Sequence, residues 1–165
     1  KKAIAVSTPF SLANCSRAML QGISKFYGKY FVHRLLGEFR AKQKHFEAFG
    51  DKTELQRMIS LGAFSSISSI WEFDDKITAP LHGFHSAEDY YRRCSSIGFI
   101  DSIQIDTLLI QSSNDPMIPA ASLPQKSALA PNIDLQLSAE GGHVGFISGK
   151  ADNWLELKIL DFIRG

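Results

Sequence analysis

The sequence has few cysteines, no long apolar run and almost no net charge, and each shortage excludes a class of protein. Its two cysteines are too few for a disulfide scaffold, so we expect a reducing, cytoplasmic setting. No apolar run approaches the roughly 20 residues that span a bilayer, and the run after Lys2 is too short for a secretory signal. Eighteen Lys and Arg against 17 Asp and Glu give a net charge of +1, unlike a basic nucleic-acid-binding domain. The 165 residues, 44% hydrophobic and 21% charged, have the composition of one globular domain.

Three short aliphatic runs, at residues 3–7, 107–111 and 133–137, predict the strands of a sheet. The first two are almost continuously apolar, which is typical of parallel strands covered on both faces, and the third alternates like a strand near an edge. A helix is predicted over 151–164, with one apolar face formed by Leu155, Ile159, Leu160 and Ile163. The pattern predicts an α/β fold of about three parallel strands with flanking helices.

The roughly ninety residues between the first two strands read as mostly helical. Asp51 with Glu54, and Ser86 with Asp89, resemble helix N-termini. Apolar residues also recur at helical spacing in one stretch: Leu20, Ile23, Tyr27, Tyr30 and Phe31. Because a crossover between parallel strands needs only a dozen or more residues, we expect residues 12–95 to form a cap-like helical insertion. Residues 1–11 and 96–165 would then form the sheet core of a single domain spanning 1–165.

The segment from His33 to His45 is locally basic, which raises the possibility of a groove for nucleic acid or anionic lipid. Acidic residues interrupt it, and two of its neighbouring aromatic residues have the character of packing residues. We therefore predict a solvated helix face and no nucleic-acid partner. The residues weighed are the basic Arg34, Arg40, Lys42 and Lys44, the acidic Glu38 and Glu47, and the aromatic Phe39 and Phe46.

Asp115 and His143 are the candidate catalytic residues. Asp115 follows the second predicted strand and His143 follows the third, so both are expected at the carboxyl edge of a parallel sheet, where ligands bind in open α/β folds. A carboxylate that accepts a hydrogen bond from one imidazole nitrogen fixes the tautomer and prepares the other nitrogen to accept a proton. Gly141 and Gly142 allow a tight turn before His143. The placement predicts a catalytic acid–base pair.

A serine nucleophile would complete such a pair, but its usual sequence pattern, G-x-S-x-G, does not occur in the 165 residues. The nearest approximation, around Ser24, lacks the second glycine and lies in a helical stretch. Ser7 and Ser112 follow strands without flanking glycines.

Four spaced motifs resemble those of the YheT-type α/β-hydrolases, predicted esterases related to mammalian ABHD hydrolases of lipid esters. The motifs are TAPLHGF at 78–84, DYYRR at 89–93, NDPMIP at 114–119 and GGHVGF at 141–146, with further similarity at 6–10 and 71–75. The resemblance implies that Asp115 is the triad acid and His143 the triad base. The family often has a second acidic residue where Asn114 stands, a difference that we expect to be tolerated.

The resemblance begins at the strand after the nucleophile, so we expect the chain to be the C-terminal part of a longer serine-type carboxylic-ester hydrolase. The serine and the oxyanion-hole donors would lie upstream, and the chain alone would be inactive. The apolar edge strand at 2–7 would then pair with the missing N-terminal half or with a second copy. The alternative is a non-catalytic binding or scaffold protein on a degenerate version of the fold.

We predict no cofactor and no metal. His82 and His85, with Asp74 or Asp75, lack a familiar ligand spacing. Packing or capping between cap and core is the expected role of the two histidines. An ester of small size is the expected substrate.

Overall fold

A computed structural model describes residues 1–62, 64–146 and 153–165. The three strands are β1 (Lys2–Val6), β2 (Asp106–Ser112) and β3 (Ile133–Ser138). The helices are α1 (Leu12–Ala18), α2 (Ser24–Phe49), α3 (Lys52–Ile59), α4 (Ile70–Phe73), α5 (Ala79–Leu81), α6 (Ala87–Cys94) and α7 (Trp154–Arg164). A π-helical turn at Asp74–Thr78 joins α4 to α5, and single 3₁₀ turns lie at Ser96–Gly98, Ile100–Ser102, Ala120–Ser122 and Lys126–Ala128.

The chain divides into two compact units. Lys1–Ala18 and Cys94–Gly165 form one, which we name the sheet unit, and Met19–Arg93 form the other, which we name the helical unit.

The sheet unit contains a parallel sheet in the order β1-β2-β3, which confirms the predicted α/β class. Ala3 is in register with Thr107, and Thr107 with Ile133. Because the strands are parallel, their carboxyl ends lie along one edge of the sheet. That edge carries the segments that follow Val6, Ser112 and Ser138.

Both faces of β2 are covered, as its continuous apolar character predicts. On one face Leu109 packs with Phe10, Ile100 and the β3 residues Ile133 and Leu135. On the other face Leu108 and Ile110 pack with Phe146. The alternation places successive β2 side chains on opposite sides, so β2 is the central strand and is buried from Thr107 to Ser112.

Helix α7 packs against the face of β2 that carries Leu108 and Ile110, and only two of the four predicted residues take part. Trp154, Leu155, Ile159 and Phe162 contact the cluster around Leu108. Leu160 and Ile163 are instead 41% and 57% exposed, so the predicted apolar face was wrong by half. The sequence pattern counted Leu160 and Ile163 and missed the two aromatic residues. Residues 151–152 of the predicted helix lie outside the described residues.

The helical unit has its own apolar core. Val32, Leu36 and Phe39 of α2 pack with Met58 of α3 and with residues Ile67, Phe73 and Ile77. Phe46 packs against the same cluster, which confirms the predicted packing roles of Phe39 and Phe46. The basic side chains of residues 34–44 are exposed, as a solvated face requires.

The two predicted helix N-termini are confirmed by hydrogen bonds. The Asp51 carboxylate accepts from the Glu54 backbone N–H at 3.1 Å, and the Ser86 hydroxyl accepts from the Asp89 N–H at 3.2 Å. Such caps satisfy N–H groups that have no partner within the helix.

The helical spacing from Leu20 to Phe31 predicts a helix, which α2 provides from Ser24 onward, but most of these apolar residues are exposed. Leu20, Ile23, Tyr27 and Tyr30 are all exposed, while the core residues of α2 begin at Val32. Within residues 1–62, 64–146 and 153–165, no helix is both long and apolar enough to cross a bilayer.

Candidate functional site

Asp115 and His143 meet at the carboxyl edge of the sheet. His143 Nδ1 lies 2.8 Å from Asp115 Oδ2. The Asp115 side chain is fully buried, whereas that of His143 is 32% exposed. Both residues were predicted from the sequence, and the structure brings them into contact across 28 positions of the chain.

The other carboxylate oxygen of Asp115 is held by the backbone that follows it. Asp115 Oδ1 accepts from the N–H of Met117 at 2.8 Å and from that of Ile118 at 3.2 Å. These bonds orient Oδ2 toward His143. With Nδ1–H donating to a carboxylate, Nε2 of a neutral imidazole is the acceptor, which is the tautomer that a general base requires.

The turn before His143 needs glycine for a steric reason. A Cβ on Gly141 would lie 2.7 Å from Cδ1 of Phe146. The Phe146 N–H donates to the Gly141 carbonyl at 2.9 Å, and the Phe146 ring is buried and stacked on Trp154 at 5.6 Å. Gly142 has a φ of +60°, in the left-handed region. The turn therefore folds back onto the sheet and presents His143 to Asp115.

Two further side chains at this edge bind the backbone on either side of His143. Asn114 Oδ1 accepts from the Gly142 N–H at 2.9 Å. The Ser7 hydroxyl donates to the His143 carbonyl oxygen. The sequence pattern offered Ser7 only as a candidate nucleophile and indicated no role for Asn114. Only their positions in the sequence pointed to this edge. Ser7 directly follows β1, and Asn114 lies two residues beyond the end of β2.

Cys15 of α1 lies close enough to Asp115 for its thiol to interact with the charge of that carboxylate. The pKa of its thiol is raised from 9.0 to about 11, mainly by burial and then by the negative charge of Asp115, while a hydrogen bond with Ser122 opposes part of this rise. The thiol is therefore protonated at neutral pH. Both cysteines are free, Cys15 buried and Cys94 half-buried.

His82 and His85 belong to the helical unit, and both side chains are exposed. The backbone N–H of His82 closes α5 by bonding to Ala79, and that of His85 donates to the Asp89 carboxylate at 3.3 Å. In the part of the chain that the structure describes, no three His, Cys, Asp or Glu side chains are grouped to hold a metal ion.

Comparison with known proteins identifies hydrolase relatives. The chain is 36% identical over 98% of its length to an Escherichia coli protein named "Putative esterase YheT", of which it covers 46%. It is 27% identical over 82% of its length to mouse phospholipase ABHD3, covering 31% of that protein. It is 31% identical over 61% of its length to zebrafish monoacylglycerol lipase ABHD2, covering 25%.

The chain thus spans less than half the length of these relatives. No family profile matches the sequence, and no solved structure matches it. The region aligned with the bacterial esterase includes all four motifs named above, since it covers 98% of the chain. The chain is therefore related, over nearly its whole length, to the C-terminal portion of the YheT-type α/β-hydrolases.

Proposed function

We propose that the chain supplies the acid and the base of a serine-type carboxylic-ester hydrolase. The observation that carries the proposal is the 2.8 Å contact between His143 Nδ1 and the buried Asp115 carboxylate. A buried carboxylate fixes the imidazole and stabilises the imidazolium that forms when Nε2 takes a proton. The exposed part of His143 leaves a route for the reacting group.

In this mechanism a serine hydroxyl loses its proton to His143 Nε2 as its oxygen attacks the ester carbonyl. The same nitrogen then protonates the departing alcohol. His143 next takes a proton from water as that water attacks the acyl-enzyme, and it returns the proton to the serine oxygen as the carboxylic acid leaves. Asp115 keeps its contact with Nδ1 and orients the ring.

The nucleophile and the oxyanion-hole donors belong, in this proposal, to residues outside the 165-residue chain. Support comes from the absence of G-x-S-x-G in the sequence and from the larger size of the relatives. The 165-residue chain by itself would then be inactive. The substrate would be a small carboxylic ester with an apolar acyl group, in keeping with the names of the phospholipase and monoacylglycerol lipase relatives, and the setting would be the cytoplasm.

The test is ester hydrolysis by the complete gene product that contains this chain, with a p-nitrophenyl ester as substrate. His143→Ala should lower kcat by about 10³-fold or more, and Asp115→Asn by a comparable factor, because triad members act as a unit. The matched control is His33→Ala, which removes an exposed histidine of α2. Turnover at the unaltered rate in His143→Ala would overturn the proposal. Absence of turnover in the unaltered protein would favour the binding or scaffold alternative.

We also propose that β1 pairs with a strand outside this chain. It is an edge strand, its residues Ala3–Val6 are only half-buried, and edge strands present unpaired backbone groups. The isolated chain should therefore self-associate at high micromolar concentration, and a segment supplying the neighbouring strand should abolish this. Light scattering that finds a monomer at that concentration would contradict the pairing.

A further inference from the structure

The loop that carries His143 is bonded on both sides by side chains from other strand ends. Asn114, beyond β2, accepts the Gly142 N–H at 2.9 Å, and Ser7, beyond β1, donates to the His143 carbonyl. The backbone groups on the two sides of the His143 Cα are therefore bonded to two separate segments. We call Ser7 and Asn114 the backbone clamp.

Each member of the clamp is itself fixed to the sheet. Asn114 Oδ1 also accepts from the hydroxyl of Ser112, and the Asn114 N–H donates back to that hydroxyl at 3.3 Å. Ser112 is the fully buried last residue of β2. Hydrogen bonds to Ser112 thus hold Asn114 in place at the end of the central strand β2.

On the other side, the Ser7 N–H continues the strand ladder by donating to Ile110 at 2.9 Å. Gln111 donates to the carbonyl of Thr8 at 3.0 Å and so ties the next residue to β2. Ser7 has a φ of +52°, which is uncommon for a residue with a side chain. Such conformations persist where surrounding contacts determine them, and here the conformation is accompanied by the bond from the hydroxyl to His143.

The loop needs fixing because its sequence gives it freedom. Two consecutive glycines precede His143, and glycine loses more conformational entropy on ordering than any other residue. A displacement of about 1 Å at a reacting group costs about 10²-fold in rate. We propose that Ser7 and Asn114 are positioning residues that fix the His143 backbone, and through it the imidazole against Asp115. This inference rests on the proposed acid–base role of His143.

The clamp uses an acceptor oxygen at position 114 and a donor hydroxyl at position 7. Asn114→Asp keeps an oxygen that can accept from Gly142, so it should preserve the clamp, whereas Asn114→Ala removes it. Ser7→Ala removes the other bond and leaves the backbone unaltered. The matched control is Asn132→Ala, because Asn132 donates to the carbonyls of Ile103 and Ile105 at the opposite edge of the sheet.

The experiment is NMR of the ¹⁵N-labelled complete gene product that contains this chain. In the unaltered chain at neutral pH, the imidazole shifts of His143 should report mainly the Nδ1–H tautomer. Asn114→Ala and Ser7→Ala should raise the Nε2–H fraction at least twofold. Asn114→Ala should also speed exchange of the Gly142 amide by about five- to tenfold, the loss of one hydrogen bond. Asn114→Asp should leave the tautomer fraction and the Gly142 exchange rate unchanged. Asn132→Ala should leave them unchanged too, although it removes two hydrogen bonds elsewhere in the sheet unit.

The inference is overturned if both alanine variants keep the original tautomer, or if Asn132→Ala changes it equally. It is also overturned if the Gly142 amide of the unaltered chain exchanges at the rate of an unstructured peptide, a result that needs no variant to fold. None of these readouts uses a nucleophile or a substrate. The alanine variants could lose the Nδ1–H tautomer of His143 while the complete protein shows no ester turnover. That result would reject the proposed function but would still support the positioning role of Ser7 and Asn114.

Discussion

In the helical unit, the carboxylates of Glu72 and Asp89 accept hydrogen bonds from backbone N–H groups at the protein surface, whereas in the sheet unit Cys15 and Asp115 are buried. The Ser68 backbone N–H holds the pKa of Glu72 below its usual value, and the His85 N–H does the same for Asp89. Burial instead raises the pKa of Cys15 in the sheet unit. Desolvation is thus the main cause of the pKa shift of Cys15 in the sheet unit, and backbone hydrogen bonds are the main cause of the pKa shifts of Glu72 and Asp89 in the helical unit.

Two glycines, one from each unit, also differ in their surroundings. Gly141 of the sheet unit lies against an aromatic ring, and a Cβ there would overlap it. Gly37 of α2 lies in open space, with no atom within 4 Å of a Cβ built on it. One glycine is required by close packing around the site, and the other only weakens a helix.

The largest expected change in the free energy of unfolding comes from Cys15 and occurs at alkaline pH. An unfolded thiol has a pKa near its ordinary value of 9.0, while burial keeps the pKa of folded Cys15 at about 11. The unfolded state therefore loses protons first, and the stability from this group is present below pH 9 and lost between pH 9 and 11. The loss should be about 2–3 kcal/mol, measured by urea unfolding at several pH values.

Other groups titrate in the same range, so the measurement is a difference between variants. Cys15→Ala should remove that part of the pH dependence, and Cys94→Ala should retain it. An equal slope in Cys15→Ala and the unaltered chain would show that Cys15 does not couple folding to pH. In acid the opposite sign applies, because the lowered pKa values of Glu72 and Asp89 stabilise the helical unit above the unfolded pKa, and this stabilisation is lost as pH falls.

The second prediction tests the crowded glycine. Gly141→Ala should lower the free energy of unfolding by about 1–3 kcal/mol, since the Phe146 ring must move and that ring is buried against Trp154. Urea unfolding at neutral pH measures the change. A variant of unchanged stability would mean that the turn before His143 rearranges without cost, and would weaken the account of how the turn positions that histidine.

The smallest effect has the opposite sign. Gly37→Ala should raise the free energy of unfolding by about 0.5–1 kcal/mol, because alanine is the better helix former and nothing obstructs its methyl group. The matched control is Gly28→Ala in the same helix, where a Cβ would lie 2.6 Å from the carbonyl oxygen of Met19. That variant should be destabilised. Equal effects at positions 28 and 37 would contradict the distinction.

Local features were predictable from the sequence because their partners lie within a few residues. The caps at Asp51 and Ser86 depend on an N–H three positions away, and each was confirmed. The parallel strands followed from short aliphatic runs that end in turn residues. The outward residues of α2 and α7 were not predictable, since a hydrophobic period shows which residues are apolar and not which of them another element covers.

The candidate site divides in the same way. The sequence by itself determined that a carboxylate and a histidine each follow a strand, and that glycines precede the histidine, because chain order and composition suffice for both. Only the tertiary structure decided that Asp115 and His143 are in contact and that Ser7 and Asn114 bind the backbone beside His143. These bonds join residues 28 to 136 positions apart. Their geometry depends on strand register and loop path, which no local pattern encodes.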